Sequence, residues 1–185
     1  MSVIKIKGSS ANTGDFTIQP PDSATDRTLT LPDKAGVIAA GVGTIVQVVQ
    51  STYSTLTTIS TDTYTDTGLS GSITPTSSSN KILVITNQQY QWLRNNVDQG
   101  AGIRLLRDST EIWAPPFGAG PYYNYTDNSA ENNNYANIIY LDSPATTSSV
   151  TYKTQGRPYT TGSNGRVRFQ VENVVSTILL MEVIA

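Results

Sequence analysis

Cysteine and histidine are both absent from this chain of 185 residues. Without cysteine there is no disulfide, no thiolate nucleophile and no thiolate ligand for a metal ion. Without histidine there is no imidazole to act as a general base near neutral pH or to hold zinc or iron. The two absences predict a non-enzymatic protein without a cofactor or metal site, whose stability comes from packing and assembly.

Charge is also scarce, because Asp, Glu, Lys and Arg make up 14% of the chain and the formal net charge is −2. We therefore expect no basic surface that collects phosphates and no nucleic-acid partner. No apolar run approaches the roughly 20 residues that span a bilayer. The first seven residues alternate apolar and basic side chains and lack the apolar core of a signal peptide. We expect synthesis in a cytoplasm and no membrane insertion.

Residues that favour β-strands are abundant, and apolar residues recur with a period of two from Thr44 onward. No window shows a helical apolar stripe. A corner is predicted near Ser60-Thr61, a hairpin turn at Asp108-Ser109 and a long loop over residues 114–134. The strands are predicted at residues 45–49, 69–75, 81–86, 102–107, 111–113, 135–141, 149–153, 166–171 and 176–184. This pattern predicts an all-β fold with an antiparallel jelly-roll-type β-sandwich over residues 44–185, and a closed barrel is the alternative.

Residues 1–43 are predicted to form an extended N-terminal arm with short strands. Phe16-Thr17-Ile18 and Leu29-Thr30-Leu31 alternate apolar and polar side chains, and each run stops near a proline. Small residues over 36–43 predict a hinge into the main domain. Because such short runs bury little by themselves, we expect a partner to order them, with Phe16, Ile18, Leu29 and Leu31 as the contact residues.

Aromatic residues concentrate in and beside the long loop. Flat rings give contact area at low entropic cost, which is typical of surfaces that bind proteins or carbohydrates. The alternative is that the aromatic side chains cap the open end of the sandwich. The predicted contact residues are Trp113, Phe117, Tyr122, Tyr123 and Tyr125.

Two acidic pairs are close enough in sequence to suggest a cation site. Asp62 and Asp66 are expected on strands with both side chains in solvent, whereas Asp127 and Glu131 fall in a loop where a hard cation is conceivable. Residues 61–66 also lack the glycine of a known calcium loop, and no metal site is predicted.

The last strand is more apolar than a half-solvated strand needs to be. One interpretation is a central strand that is buried on both faces. The other is a strand whose second face meets a neighbouring subunit, with Ile178, Leu180 and Met181 in a trimer interface. The two interpretations are compatible.

Two parts of the chain resemble bacteriophage virion proteins. Residues 14–38, with Thr17-Ile18-Gln19-Pro20 and Leu29-Thr30-Leu31-Pro32, resemble strand-and-proline modules of tail fibres and other virion surface proteins. Residues 43–50, 73–84, 103–108 and 140–147 are similar to a module of structural proteins from marine and cyanobacterial phages. The resemblance covers nearly the whole chain. It implies a homotrimeric virion surface protein that is made in the host cytoplasm and has no catalytic motif.

The resemblance leaves two roles open. The first is a capsid cement or decoration protein, a trimer whose arms cross neighbouring subunits of the major capsid protein and stabilise the head. The second is a short tail fibre or receptor-binding tip that contacts tail proteins and a host surface glycan or protein. We favour cement because about 40 residues before the sandwich suffice for an arm but not for a shaft.

Overall fold

The computed structural model describes residues 41–94, 100–115 and 130–185, which form ten β-strands and two short 3₁₀ helices, Gly162–Asn164 and Val171–Asn173. Neither helix is long and apolar enough to cross a membrane. All but the last three residues of the predicted arm lie outside this part of the chain. The strands are β1 (Ile45–Tyr53), β2 (Thr57–Ile59), β3 (Thr65–Ile73), β4 (Lys81–Arg94), β5 (Ala101–Arg107), β6 (Thr110–Trp113), β7 (Ala130–Asp142), β8 (Val150–Pro158), β9 (Arg166–Phe169) and β10 (Ser176–Val183).

The strands form two antiparallel sheets. The first contains β1, β10, β4 and β7 in that order, and the second contains β3, β8, β5 and β6. This interleaving of early and late strands is the order of an eight-stranded jelly roll. β9 continues the line of β10 along the second half of β4, and β2 pairs with β9. The predicted all-β antiparallel sandwich is therefore confirmed, and the closed barrel is not formed.

The period of two places one face of each sheet in a shared core. Ile82, Val84, Ile178 and Leu180 of the first sheet are buried there against Leu105 and Tyr152 of the second. The polar members of this core are hydrogen-bonded to one another, as burial requires. Thr154 of β8 donates to Oε1 of Gln88 on β4 at 2.7 Å, and its hydroxyl lies 2.6 Å from that of Thr67. These bonds link the two sheets through the middle of the core.

An ion pair joins the sheets at one end of the sandwich. Arg107 at the end of β5 donates from Nη1 to both carboxylate oxygens of Asp142 at the end of β7, at 2.8 and 2.9 Å. Tyr152 on β8 donates its hydroxyl to Asp142 at 2.7 Å. Burial and then this hydrogen bond to the carboxylate raise the pKa of Tyr152 well above its ordinary value. The phenol therefore stays a donor throughout the neutral range.

Most strand predictions are confirmed, including the Asp108-Ser109 turn, where Asp108 has a left-handed φ of 53° and accepts a hydrogen bond from the amide of Thr151. The predicted loop over residues 114–134 is wrong at its end, because β7 begins at Ala130. Pairing with β4 explains the difference, since the register runs without interruption from Asp142 to Ala130. Tertiary pairing thus overrides the low strand propensity of the asparagines.

Candidate functional site

The outer side of the first sheet carries apolar side chains in cross-strand rows. Directly paired residues point to the same side of a sheet, so the pairing register defines each row. One row runs Val48, Met181, Leu83, Leu141, and the next runs Gln50, Leu179, Ile85, Ile139. We call Val48, Leu83, Ile85, Ile139, Leu141, Leu179 and Met181 the apolar face.

Several side chains of the apolar face are exposed to solvent in the single chain. Ile139 is 71% exposed, Val48 56% and Leu141 50%, all on the edge strands β1 and β7. Met181 and Leu83, on the central strands, are partly covered by their neighbours. Scattered exposed apolar residues are ordinary, but a contiguous patch marks a site of interaction.

Polar residues border the apolar face. At one end Val183 pairs with Lys81, which carries a positive charge on this side of the sheet. At the other end the row of Thr52, Thr177, Asn87 and Asn137 is entirely polar. An apolar centre with a polar rim is the composition of a protein interface.

The outer side of the second sheet, which we call the polar face, has the opposite character. Arg104 donates to Glu111 at 2.8 Å and to Gln155 at 2.6 and 2.9 Å. The guanidinium of Arg104 also lies over the ring of Tyr64, 4.4 Å from its centroid. These groups satisfy one another within the chain and remain in contact with water.

Asp66 completes the polar face on β3. It accepts from Nζ of Lys153 at 2.9 Å and from Nε2 of Gln155 at 2.6 Å. Burial raises the pKa of Asp66, but the hydrogen bonds and positive charges around it outweigh that effect and hold the pKa below its ordinary value of 3.8. Asp66 is therefore a salt-bridge partner and not a free cation ligand. Among the described residues no group of three or more acidic residues could hold a metal ion.

The proposed trimer contacts fall on two different sides of β10. Ile178 and Leu180 have no exposed surface and belong to the core of the single chain, so that part of the prediction needs correction. Met181 lies on the apolar face. Its neighbours there are Leu179 and residues of β1 and β4, which the sequence interpretation did not select. The trimer contact itself stays a prediction.

The inner side of β10 also carries a buried carboxylate. Glu182 shares the inner side with Ile178 and Leu180, and the donors around it are the amide and hydroxyl of Thr76, Nδ2 of Asn80 and Nε2 of Gln47, at 2.7 to 3.1 Å. Burial raises the pKa of Glu182, but these hydrogen bonds outweigh it, so the pKa lies below its ordinary value of 4.5. The carboxylate fastens the β3–β4 connection to the last strand.

The one aromatic contact residue within the described ranges is Trp113, at the end of β6. It is partly buried and packs against the core, as the capping alternative expects. It also lines a pocket of about 190 Å³ at the open edge between the sheets, together with Ile103, Pro115, Tyr135, Ala136, Asn137 and Ile138. The other four contact residues (Phe117, Tyr122, Tyr123 and Tyr125) and the arm residues Phe16, Ile18, Leu29 and Leu31 lie outside the described residues.

No protein-family model and no curated protein matches the chain. Two solved structures of infectious bursal disease virus resemble it in part. One is the D431N mutant of the VP2 protein in derived T=1 particles, with 14% identity, a TM-score of 0.30, and coverage of 86% of this chain and 41% of that one. The other is the Gt strain, with 14% identity, a TM-score of 0.31, and coverage of 86% and 42%. This chain thus spans less than half of either protein, and its fold assignment rests on its own strand order.

Proposed function

We propose that this chain is a non-enzymatic structural protein of a virion surface that works as a homotrimer. The apolar face carries this proposal. In this jelly roll the groups of the polar face form hydrogen bonds and salt bridges with one another, whereas the apolar face is contiguous and exposed, which is typical of a surface that binds another protein. The sequence resemblance to phage virion proteins over residues 14–38 and in the sandwich supplies the setting.

Within that class we propose the role of capsid cement. The short strands around Phe16, Ile18, Leu29 and Leu31 would add to edges of neighbouring major capsid protein subunits by β-augmentation. Three arms on one trimer would act together, so that weak contacts combine into firm attachment. The trimer would then bridge adjacent capsomers and stabilise the head.

Counting copies in purified particles tests this role. We expect hundreds of copies per particle, as a capsid component requires, and a count of a few tens or fewer would indicate a tail component instead. A variant lacking residues 1–40 should keep its oligomeric state and lose attachment to particles. If the shortened protein still binds capsids, the arm is not the anchor.

A receptor-binding tail tip is the second candidate. It is favoured by the pocket that Trp113, Tyr135 and Asn137 help to line, because aromatic residues with a few polar groups are the usual lining of a ligand site. Incubating the isolated full-length protein with host cells separates the two roles. Saturable cell binding that Trp113→Ala abolishes would favour the tip, and absence of binding would favour cement.

A further inference from the structure

We propose that the apolar face is the surface through which copies of this chain associate, and that its occupant is the apolar face of a second copy. The inference deepens the homotrimer of the proposed function, on which its stoichiometry rests, by naming the surface and its residues. It replaces the contact set of Ile178, Leu180 and Met181 with residues of a single side of the sheet.

The size of the apolar face fits the centre of a protein interface. With about 4.8 Å between strands and about 6.8 Å between successive rows, the four strands and two rows of the apolar face cover roughly 260 Å². That is about a third of what one partner buries in an interface of standard size, which suits the apolar centre of such an interface. The polar row with Thr177 and Asn137 and the border at Lys81 would supply the rim.

The chemistry of the apolar face selects its partner. A charge buried against it would lose its hydration and gain no hydrogen bond, so the partner surface has to be uncharged as well. Of the two outer faces on the described sandwich, the polar one carries Asp66, Arg104 and Lys153 and does not meet that condition. The apolar face of another copy does. In the homotrimer, one edge of each apolar face would pack against the opposite edge of its neighbour's apolar face around the three-fold axis, because a ring of three needs a contact between different parts of the surface.

The sequence of β10 indicates that this face is covered in the assembled protein. Both sides of the strand are apolar from Ile178 to Met181, the pattern of a strand that is covered on both faces. A face of this kind has to be covered soon after synthesis, because exposed apolar strands lead to aggregation. Another copy of the same chain is the partner that is always present at that moment.

Sedimentation equilibrium of the full-length protein tests the inference. We expect the wild type to be a single oligomer at micromolar concentration and Met181→Lys to be a monomer with the same circular dichroism spectrum. Ser72→Lys, on the exposed outer side of β3, is the matched control and should keep the wild-type mass. If Met181→Lys does not fold, Ile139→Lys replaces it, because that side chain is on an edge strand and 71% exposed.

Three results would overturn the inference. One is a monomeric wild type, and another is a folded Ile139→Lys or Met181→Lys protein that keeps the full oligomeric mass. The third is dissociation of a Phe16→Ser, Leu29→Ser double variant, since that would make the arm the occupant of the face. A dimer that Met181→Lys dissociates would support the face and contradict the trimer. A face-dependent oligomer that is absent from purified particles would leave the inference standing and remove only the proposed virion function.

Discussion

The two outer faces of this sandwich belong to the same fold and differ in how their groups are satisfied. On the polar face, Arg104, Glu111, Lys153 and Asp66 form salt bridges and hydrogen bonds within the chain. On the apolar face, Val48, Leu83 and Met181 expose apolar surface that nothing else in the described chain covers. A face whose polar groups pair with one another is stable in contact with water. Exposed apolar surface is stabilised only when a partner buries it.

The difference shows that the jelly roll itself does not decide which side assembles. Both sheets have four principal strands, the same pleat and the same inner role. The two sheets differ in the side chains at the outward-facing positions of their strands. The stability of the single chain should therefore depend on its inner contacts, and its assembly on one outer side.

The largest effect on stability is expected from loss of the ion pair between Arg107 and Asp142, which joins the two sheets. Asp142→Ala leaves the buried Tyr152 hydroxyl without its acceptor and Arg107 without its counter-charge, at a cost of about 3 kcal/mol. Asp66→Ala removes the same residue type from the polar face, where the side chain is 53% exposed, and should cost about 0.5 kcal/mol. Urea unfolding measures both. Equal losses would show that inner and outer carboxylates contribute alike.

The next effect concerns association. Val48→Thr together with Leu141→Thr removes apolar surface from both edges of the apolar face, which should weaken association by about 2 kcal/mol, or roughly 30-fold. The unfolding free energy of the dissociated chain should change little, because both side chains are at least half exposed. Ser72→Val with Thr151→Val makes the polar face more apolar and should leave the association constant unchanged. Dilution series followed by sedimentation would report both constants.

A pH dependence is expected from Glu182. Because its pKa in the folded chain lies below its ordinary value of 4.5, its contribution to stability is present above about pH 4.5 and is lost as pH falls through the folded pKa. Glu182→Gln should cost about 1 to 2 kcal/mol at pH 7, since one oxygen acceptor becomes a donor among donors. The gap to wild type should shrink at pH 3. A gap that is the same at both pH values would contradict the role of the carboxylate.

The smallest effect is expected from Arg104→Ala on the polar face. The substitution removes the contact with the Tyr64 ring and the bond to Glu111, which is a surface pair. Its cost should be below about 1 kcal/mol and should fall further in high salt. A loss of oligomeric mass in this variant would show that the polar face also takes part in assembly.

The fold was predictable because alternation is strong and turn chemistry is local. The hairpin at Asp108 follows from a residue that tolerates a left-handed φ, and the strand around Ile82 follows from a run of β-branched residues. The start of β7 was not predictable, because Asn133 and Asn134 join the sheet only through pairing with β4. Long-range pairing of that kind leaves no local signal.

The apolar face was only partly predictable. Period two says that Ile178 and Leu180 share a side and that Met181 lies on the other, but it does not say which side is inward when both are apolar. The buried Glu182 makes the assignment harder, since a carboxylate is normally expected outside. The available signal is that Ile82-Leu83-Val84-Ile85, Ile138-Ile139 and Leu179-Leu180-Met181 are apolar on both sides, which indicates strands covered twice.

Thiol accessibility tests most directly whether the apolar face is covered by a second copy. The chain has no cysteine, so Met181→Cys and Thr151→Cys each introduce a single thiol on a central strand, on the apolar and the polar face respectively. In the assembled protein the thiol at 181 should react with a maleimide at least about tenfold more slowly than the thiol at 151. The difference should disappear on dilution to the monomer and in urea. Equal rates in the concentrated native protein would contradict a covered apolar face.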